Sequence, residues 1–308
     1  MTKAQPPANF EAGLGRWLVL ALPYAWLVLF FLAPFALILK VSLSEPELSQ
    51  PPYAPVFDSW DASVIVDKLR SLSLGAYARL IEDALYLRSY LESAAMAGAA
   101  TFATLLIGYP LALAIARSPA RWRLLLLTLA IAPLWTSSLV RVYAWILILK
   151  DEGVLNHALI ALGLVTEPLH IFATNWAVLI GIVYAYLPFM ALPLYAAIEN
   201  QDRQLAEAAA DLGAGAGGIF WRITLPLSLP GVYAGALMVF IPAVGEFVIP
   251  DLLGGSDTLM IGTTLWNDFF VNRDWPAAAA AAVALLALLL GPLLFYERMQ
   301  MQAGANRR

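Results

Sequence analysis

Residues 207–226 read EAAADLGAGAGGIFWRITLP, the largest polar interruption in the second half of an otherwise apolar chain. Glu207, Ala208 and Ala209 are followed at fixed distances by Gly213 and then by Ile223, Leu225 and Pro226. The residues up to Leu212 favour helix, and Gly213 supplies a stop or sharp turn where a Cβ is unwelcome. A second short helix is expected through Ile219, Phe220 and Trp221 before Pro226 ends the loop. Two short helices about a glycine elbow make a rigid knob suited to a partner's groove. An ordinary amphipathic linker between two membrane helices is the plainer reading of the same residues.

The surrounding chain is 308 residues long, 61% hydrophobic and only 13% charged. A soluble domain carries about 25% charged residues, so this composition implies an all-α integral membrane protein. The absence of cysteine excludes disulfides and thiol chemistry. His157 and His170 are too few to argue for a metal centre. Uncharged runs at 17–39, 94–116, 176–198, 223–245 and 276–296, plus 124–149 interrupted only by Arg141, predict six membrane-spanning helices. Prolines within them imply a kinked bundle around a pathway, since neighbouring helices can satisfy freed carbonyls. Ala95, Ala99, Ala103 and Gly235 are expected at close helix contacts. Residues 1–16 and 299–308 read as polar tails flanking a membrane domain over 17–298. The acidic, proline-rich stretch 42–88 reads as an extramembrane loop with one short helix near 72–87. The apolar run 154–166 is too short to span and is expected to lie at the interface or dip back.

Charge sets the expected orientation. The short loop 117–123 carries Arg117, Arg121 and Arg123 and no acid, which places it inside. Both termini and residues 199–226 then share that side. An ATP-binding lysine would have to follow a glycine in a phosphate loop, and none of Lys3, Lys40, Lys68 and Lys150 does. Gly213, Gly215 and Gly218 satisfy G-x-G-x-x-G, yet no strand precedes them, so the match is accidental. No nucleic-acid partner is expected.

The spacing of Glu207, Ala208, Ala209, Gly213, Ile223, Leu225 and Pro226 resembles the EAA loop of permease subunits in binding-protein-dependent ABC importers. That resemblance implies a type I ABC importer permease fold with six transmembrane helices. It also implies that the loop couples to a cytoplasmic ATPase, with ATP and magnesium bound by partner ATPase subunits and no cofactor in this chain. The runs IPAVGEFVIPDLLGG, MIG and NRDWP within 240–276 look like permeases of bacterial polyamine importers of the putrescine and spermidine type, as do 134–156 and 180–195. The implied partners are a second, homologous permease, two ATPase subunits, a periplasmic binding protein, membrane lipid and a polyamine. The implied location is the bacterial inner membrane.

The residues of 240–275 also speak for themselves. Glu246 ends an uncharged run about 27 Å along a helix from Ser228, where a carboxylate is costly unless solvated, paired or lining a path. Arg141 lies at comparable depth and could pair with it. Asp251 and Asp268, with Trp266 nearby, suit an alkyl polyammonium through ion pairing and cation–π contact, although an interfacial aromatic belt explains any one ring. Tyr184 and Tyr186 point to different faces, so at most one lines a path. The substrate-path candidates are therefore Glu246, Asp251, Asp268, Trp266, Tyr184 and Arg141. Two alternatives remain: an ABC permease for another small organic substrate, or a stand-alone carrier or membrane enzyme. A lone carrier should show intramembrane acid or histidine relays and internal repeats, and this chain offers neither clearly.

Overall fold

The computed structural model describes residues 14–58 and 61–305; the expected tail is outside it as far as residue 13, as are 306–308. The chain divides into two compact units, one of residues 1–79 and 274–283, the other of 80–273 and 284–308.

In the first unit, α1 (Leu14–Leu27) and α2 (Ala33–Ser42) are joined by a π-turn, Val28–Leu32, one residue before Pro34. The Ala33 N–H reaches the Val28 carbonyl five residues back. The widened turn moves backbone away from the ring of Pro34, so the helix continues through the proline rather than ending there. The run Val19–Ser42 is long and apolar enough to span, and it buries side chains within its own chain only at its end, at Val41 and Ser42, as a largely lipid-facing helix would. Beyond it, β1 (Glu45–Pro46) pairs antiparallel with β2 (Tyr53–Ala54). Lys40 and Lys68 pin the following turn by donating to the Pro55 and Val56 carbonyls. A hydrogen bond from Lys68 also holds the exposed Asp58 carboxyl below the usual carboxylate range. Two short helices follow, α3 (Ala62–Arg70) and α4 (Gly75–Glu82), where the sequence predicted one. Arg79 closes the unit on Asp274 at 2.8 Å.

The second unit is built on α5 (Ala84–Arg117), which starts ten residues before the predicted span because Asp83 caps it through the Leu85 N–H. The predicted span at 124–149 is not one helix. After α6 (Ala120–Ile131) a single 3₁₀ turn, Ala132–Trp135, carries Pro133, and α7 (Ser138–Leu149) leaves at 91° with α8 (Val154–Ala161) behind it. Thr136 accounts for the break: its hydroxyl donates to the Pro133 carbonyl at 2.8 Å and its backbone is extended. Among the described residues, five helices are therefore long and apolar enough to cross a membrane, and six if the bent pair counts as one.

The core is made by α5, α9 (Asn175–Glu199) and α12 (Leu225–Val244), which pack on one another. Tyr109, Ala112, Met190, Leu194, Ile198 and Val239 form its centre, and the Tyr109 and Ser228 hydroxyls meet at 2.8 Å. Gly235 is at a close contact as expected: a Cβ there would stand 2.7 Å from the Met190 sulfur. On α5, however, the contact face is Ala97, Ala100, Thr104 and Gly108, whereas Ala95 and Ala99 are exposed. The remaining elements are α10 (Arg203–Asp211), α11 (Ala216–Ile219), α13 (Val248–Leu253), α14 (Ile261–Trp266) and α15 (Trp275–Ala305). The last is helical well into the stretch 299–308 that the sequence marked as a tail.

Candidate functional site

Two regions of the second unit carry polar chemistry. The first is the loop around α10. Asp202 caps the helix by accepting the Gln204 N–H at 3.0 Å, so it starts four residues before Glu207. It ends on Gly213 at φ +85°, with Gly213 N–H bonded to the Ala210 carbonyl and Ala214 N–H to the Ala209 carbonyl, each at 2.9 Å. This pair of bonds is the Schellman termination, which satisfies the last helical carbonyls only if the residue after the cap is left-handed. Glycine takes that conformation without a Cβ penalty.

The predicted stop at Pro226 does not occur. A π-turn at Phe220–Thr224 bonds Leu225 N–H to the Phe220 carbonyl, and Ala216–Val244 forms one run. This is the Val28–Leu32 device again, one residue before a proline. Glu207 and Ala208 are exposed, Ala209, Ile223 and Leu225 are half-buried, and Pro226 is exposed. Glu207, Arg117, Arg203, Glu199 and Thr224 line a cavity of about 280 Å³ behind the helix. Gln201 donates to the Thr224 carbonyl at 3.0 Å and Arg123 pairs with Glu199, which ties both ends of the loop to the bundle.

The second region begins at Glu246. Its Oε2 accepts the Tyr186 hydroxyl at 2.6 Å, and its Oε1 accepts the Val248 N–H at 3.1 Å, at the start of α13. Arg141 is not its partner: the buried Nε and Nη1 atoms of that guanidinium have no hydrogen bond. Of the two tyrosines it is Tyr186, not Tyr184, that meets the carboxylate; Tyr184 packs edge-on against Trp145 at 5.4 Å. A helix period of 3.6 separates the two faces, but which face meets Glu246 depends on how α9 and α12 are rotated. Asp268 is buried, accepts from the Tyr86 hydroxyl at 2.9 Å and from Asn272 at 3.1 Å, and is thereby used inside the chain. Asp251 is exposed on α13. Trp266 stacks on Phe247 at 4.6 Å and meets Phe270 at 4.1 Å. Gly262, one turn before Trp266, rests on the backbone of Glu246; a Cβ there would lie 2.5 Å from its carbonyl oxygen.

Residues 105–299 match the family model described as binding-protein-dependent transport system inner membrane component. The chain belongs to that family. This permease is 41% identical over 273 residues, 89% of its length and 93% of the relative's, to the spermidine/putrescine transport system permease protein PotB of Escherichia coli K12. To the PotB protein of Haemophilus influenzae it is 38% identical over 281 residues, covering 91% and 92% of the two chains. Its fold matches a solved chain of a bacterial alginate ABC transporter in complex with an alginate-bound periplasmic protein, with a TM-score of 0.69, 17% identity and coverage of 94% and 96%. The permease is thus the non-catalytic membrane subunit of an ABC transporter. The polar loop around α10 lies inside the matched segment.

Proposed function

We propose that the permease forms half of the translocation pathway for a polyamine of the putrescine and spermidine class. Its partners on this reading are a second homologous permease, two ATPase subunits and a periplasmic binding protein. The loop at 199–226 faces the cytoplasm with both termini and couples to the ATPase. The observation that carries the coupling role is α10 itself, capped by Asp202, turned by Gly213 at φ +85° and anchored to the bundle through Gln201. Such a knob keeps its shape without a partner and can transmit a push. The names of relatives about 40% identical over nine-tenths of the chain support the substrate class.

Glu207, Ala208, Ala209 and Gly213 form the docking surface, with Ile223, Leu225 and Pro226 joining it to α12. Along the path, Glu246 places a carboxyl group in the membrane-spanning part, oriented by the Tyr186 hydroxyl and the Val248 N–H. Asp251 and Trp266 extend that surface, and Arg141 and Tyr184 line the neighbouring α7–α9 contact. Vesicles holding the full complex should take up labelled spermidine and putrescine with ATP but not a neutral sugar. Sugar uptake without polyamine uptake would overturn the substrate class. Uptake by this chain alone would overturn the subunit role. Because the chain has no cysteine, one introduced at Ala214 reports orientation; its labelling by an impermeant external reagent would reverse the topology.

A further inference from the structure

A cavity of about 670 Å³ opens at the ends of α5 and α9 opposite to the coupling helix, and neither region above uses it. Arg88, Glu92, Ala95 and Ala99 line it from one stripe of α5, Trp176 from the first turn of α9, and Asp257 from the segment before α14. These positions on α5 recur at helical spacing on the face that the core leaves free, which is why the two alanines are exposed.

Its walls are fixed. Ser93, on the adjoining face of α5, accepts the Ile261 N–H at 2.7 Å, and Thr258 donates to the Asn175 side chain at 2.8 Å. The 257–260 segment is thus tied to both helices, and the cavity is already formed without a ligand. It holds a cation of the chain's own: Arg88 Nε donates to Glu92 at 2.6 Å, and Asp257 lines the same cavity. The indole of Trp176, 70% exposed, supplies a large aromatic surface beside the carboxylates.

We infer that this cavity is an entry site for a linear alkyl polyammonium, in which one substrate ammonium group displaces Arg88 from Glu92, another meets Asp257, and the alkyl chain lies against Trp176. The inference rests on the polyamine reading and deepens it. The cavity is lined by two carboxylates and one guanidinium, which leaves one negative charge unmatched, so a dication is favoured over a monovalent ion. Displaced Arg88, 68% exposed as a side chain, swings into water at little cost. A neutral solute gains nothing from the exchange.

The test uses the assembled transporter without its binding protein, with Ala95→Cys as the reporter in this otherwise cysteine-free chain. A small maleimide labels the cavity, and spermidine should protect it while a neutral polyol should not. Asp257→Asn and Glu92→Gln should each raise the half-protecting spermidine concentration about five-fold, and Trp176→Ala similarly. Arg88→Gln should lower it, because the internal competitor is gone. Labelling rates without spermidine show whether each variant keeps the cavity. An Arg88→Gln shift in the same direction as Glu92→Gln would make the pair a structural ion pair and overturn the site. So would absent protection in a complex whose ATP turnover spermidine and binding protein still stimulate. If that stimulation is missing as well, the substrate reading fails and takes the site with it.

Discussion

At the end of the unit that carries the polar loop, Leu212 after α10 is 90% exposed and Trp221, at the start of the Ala216–Val244 run, is 67% exposed. At the far end of the same unit, Asp268 is buried on Tyr86, and Glu246 is held by Tyr186 and two N–H groups of α13. One end completes its local geometry but leaves its side chains open; the other holds the carboxylates of Glu246 and Asp268 with donors of its own. The difference follows from what surrounds each. On the proposed coupling role, the loop docks on another protein and needs a fixed backbone and a free surface. An acid within a membrane-spanning bundle is costly to leave unpaired, and donors from its own chain lower that cost. Changes at the loop end should therefore alter function while leaving the fold intact, and changes at the far end should alter the fold first.

The largest effect is expected from Gly213→Val. A branched residue held at φ +85° costs at least about 1–2 kcal/mol, enough to shift the elbow and cut uptake about ten-fold with normal complex yield. Gly215→Ala and Gly217→Ala, at ordinary φ with open space around them, should leave uptake unchanged. Equal losses in all three would show that the run serves as a flexible linker rather than a defined elbow. Glu207→Ala should likewise reduce ATP-coupled uptake at normal yield; loss of yield would place its role in the cavity beside Arg117 instead.

At the far end, Gly262→Ala drives a methyl into the Glu246 and Gly245 carbonyls and should destabilise the chain by about 1–3 kcal/mol, read as a lower thermal midpoint in detergent. An unchanged midpoint with altered uptake would erase the contrast between the ends. A double-mutant cycle of Tyr186→Phe with Glu246→Gln should give a coupling of about 1–2 kcal/mol, and the same cycle with Arg141→Gln close to none. Strong coupling to Arg141 would mean that Glu246 changes partners in another state of the transporter. The smallest effect belongs to Arg88→Gln: loss of one exposed helical ion pair should leave the thermal midpoint in detergent essentially unchanged.

Much of the loop end was legible in the sequence. The glycine elbow, the helix before it and the family pattern all follow from residues close together in the chain, where capping and φ preferences act. Asp202 was equally legible as a cap, standing just before the helix begins, and went unused. The breaks were harder to read. Prolines at 34 and 226 sit next to π-turns that let helices continue, whereas Pro133, followed by Thr136, ends one.

Composition and apolar runs by themselves determined a helical membrane protein, and spacing by itself determined the helix and glycine elbow at 203–213, because lipid and local backbone geometry act on each segment separately. Only the tertiary structure decided which α5 alanines face the core, that Tyr186 rather than Tyr184 meets Glu246, and that Asp268 is used within the chain. Those outcomes depend on the rotation of each helix about its axis. In nearly all-apolar helices every face is hydrophobic, and the sequence holds no stripe to fix that rotation. It is set by close approaches such as Gly235 against Met190, which appear only when the helices are packed.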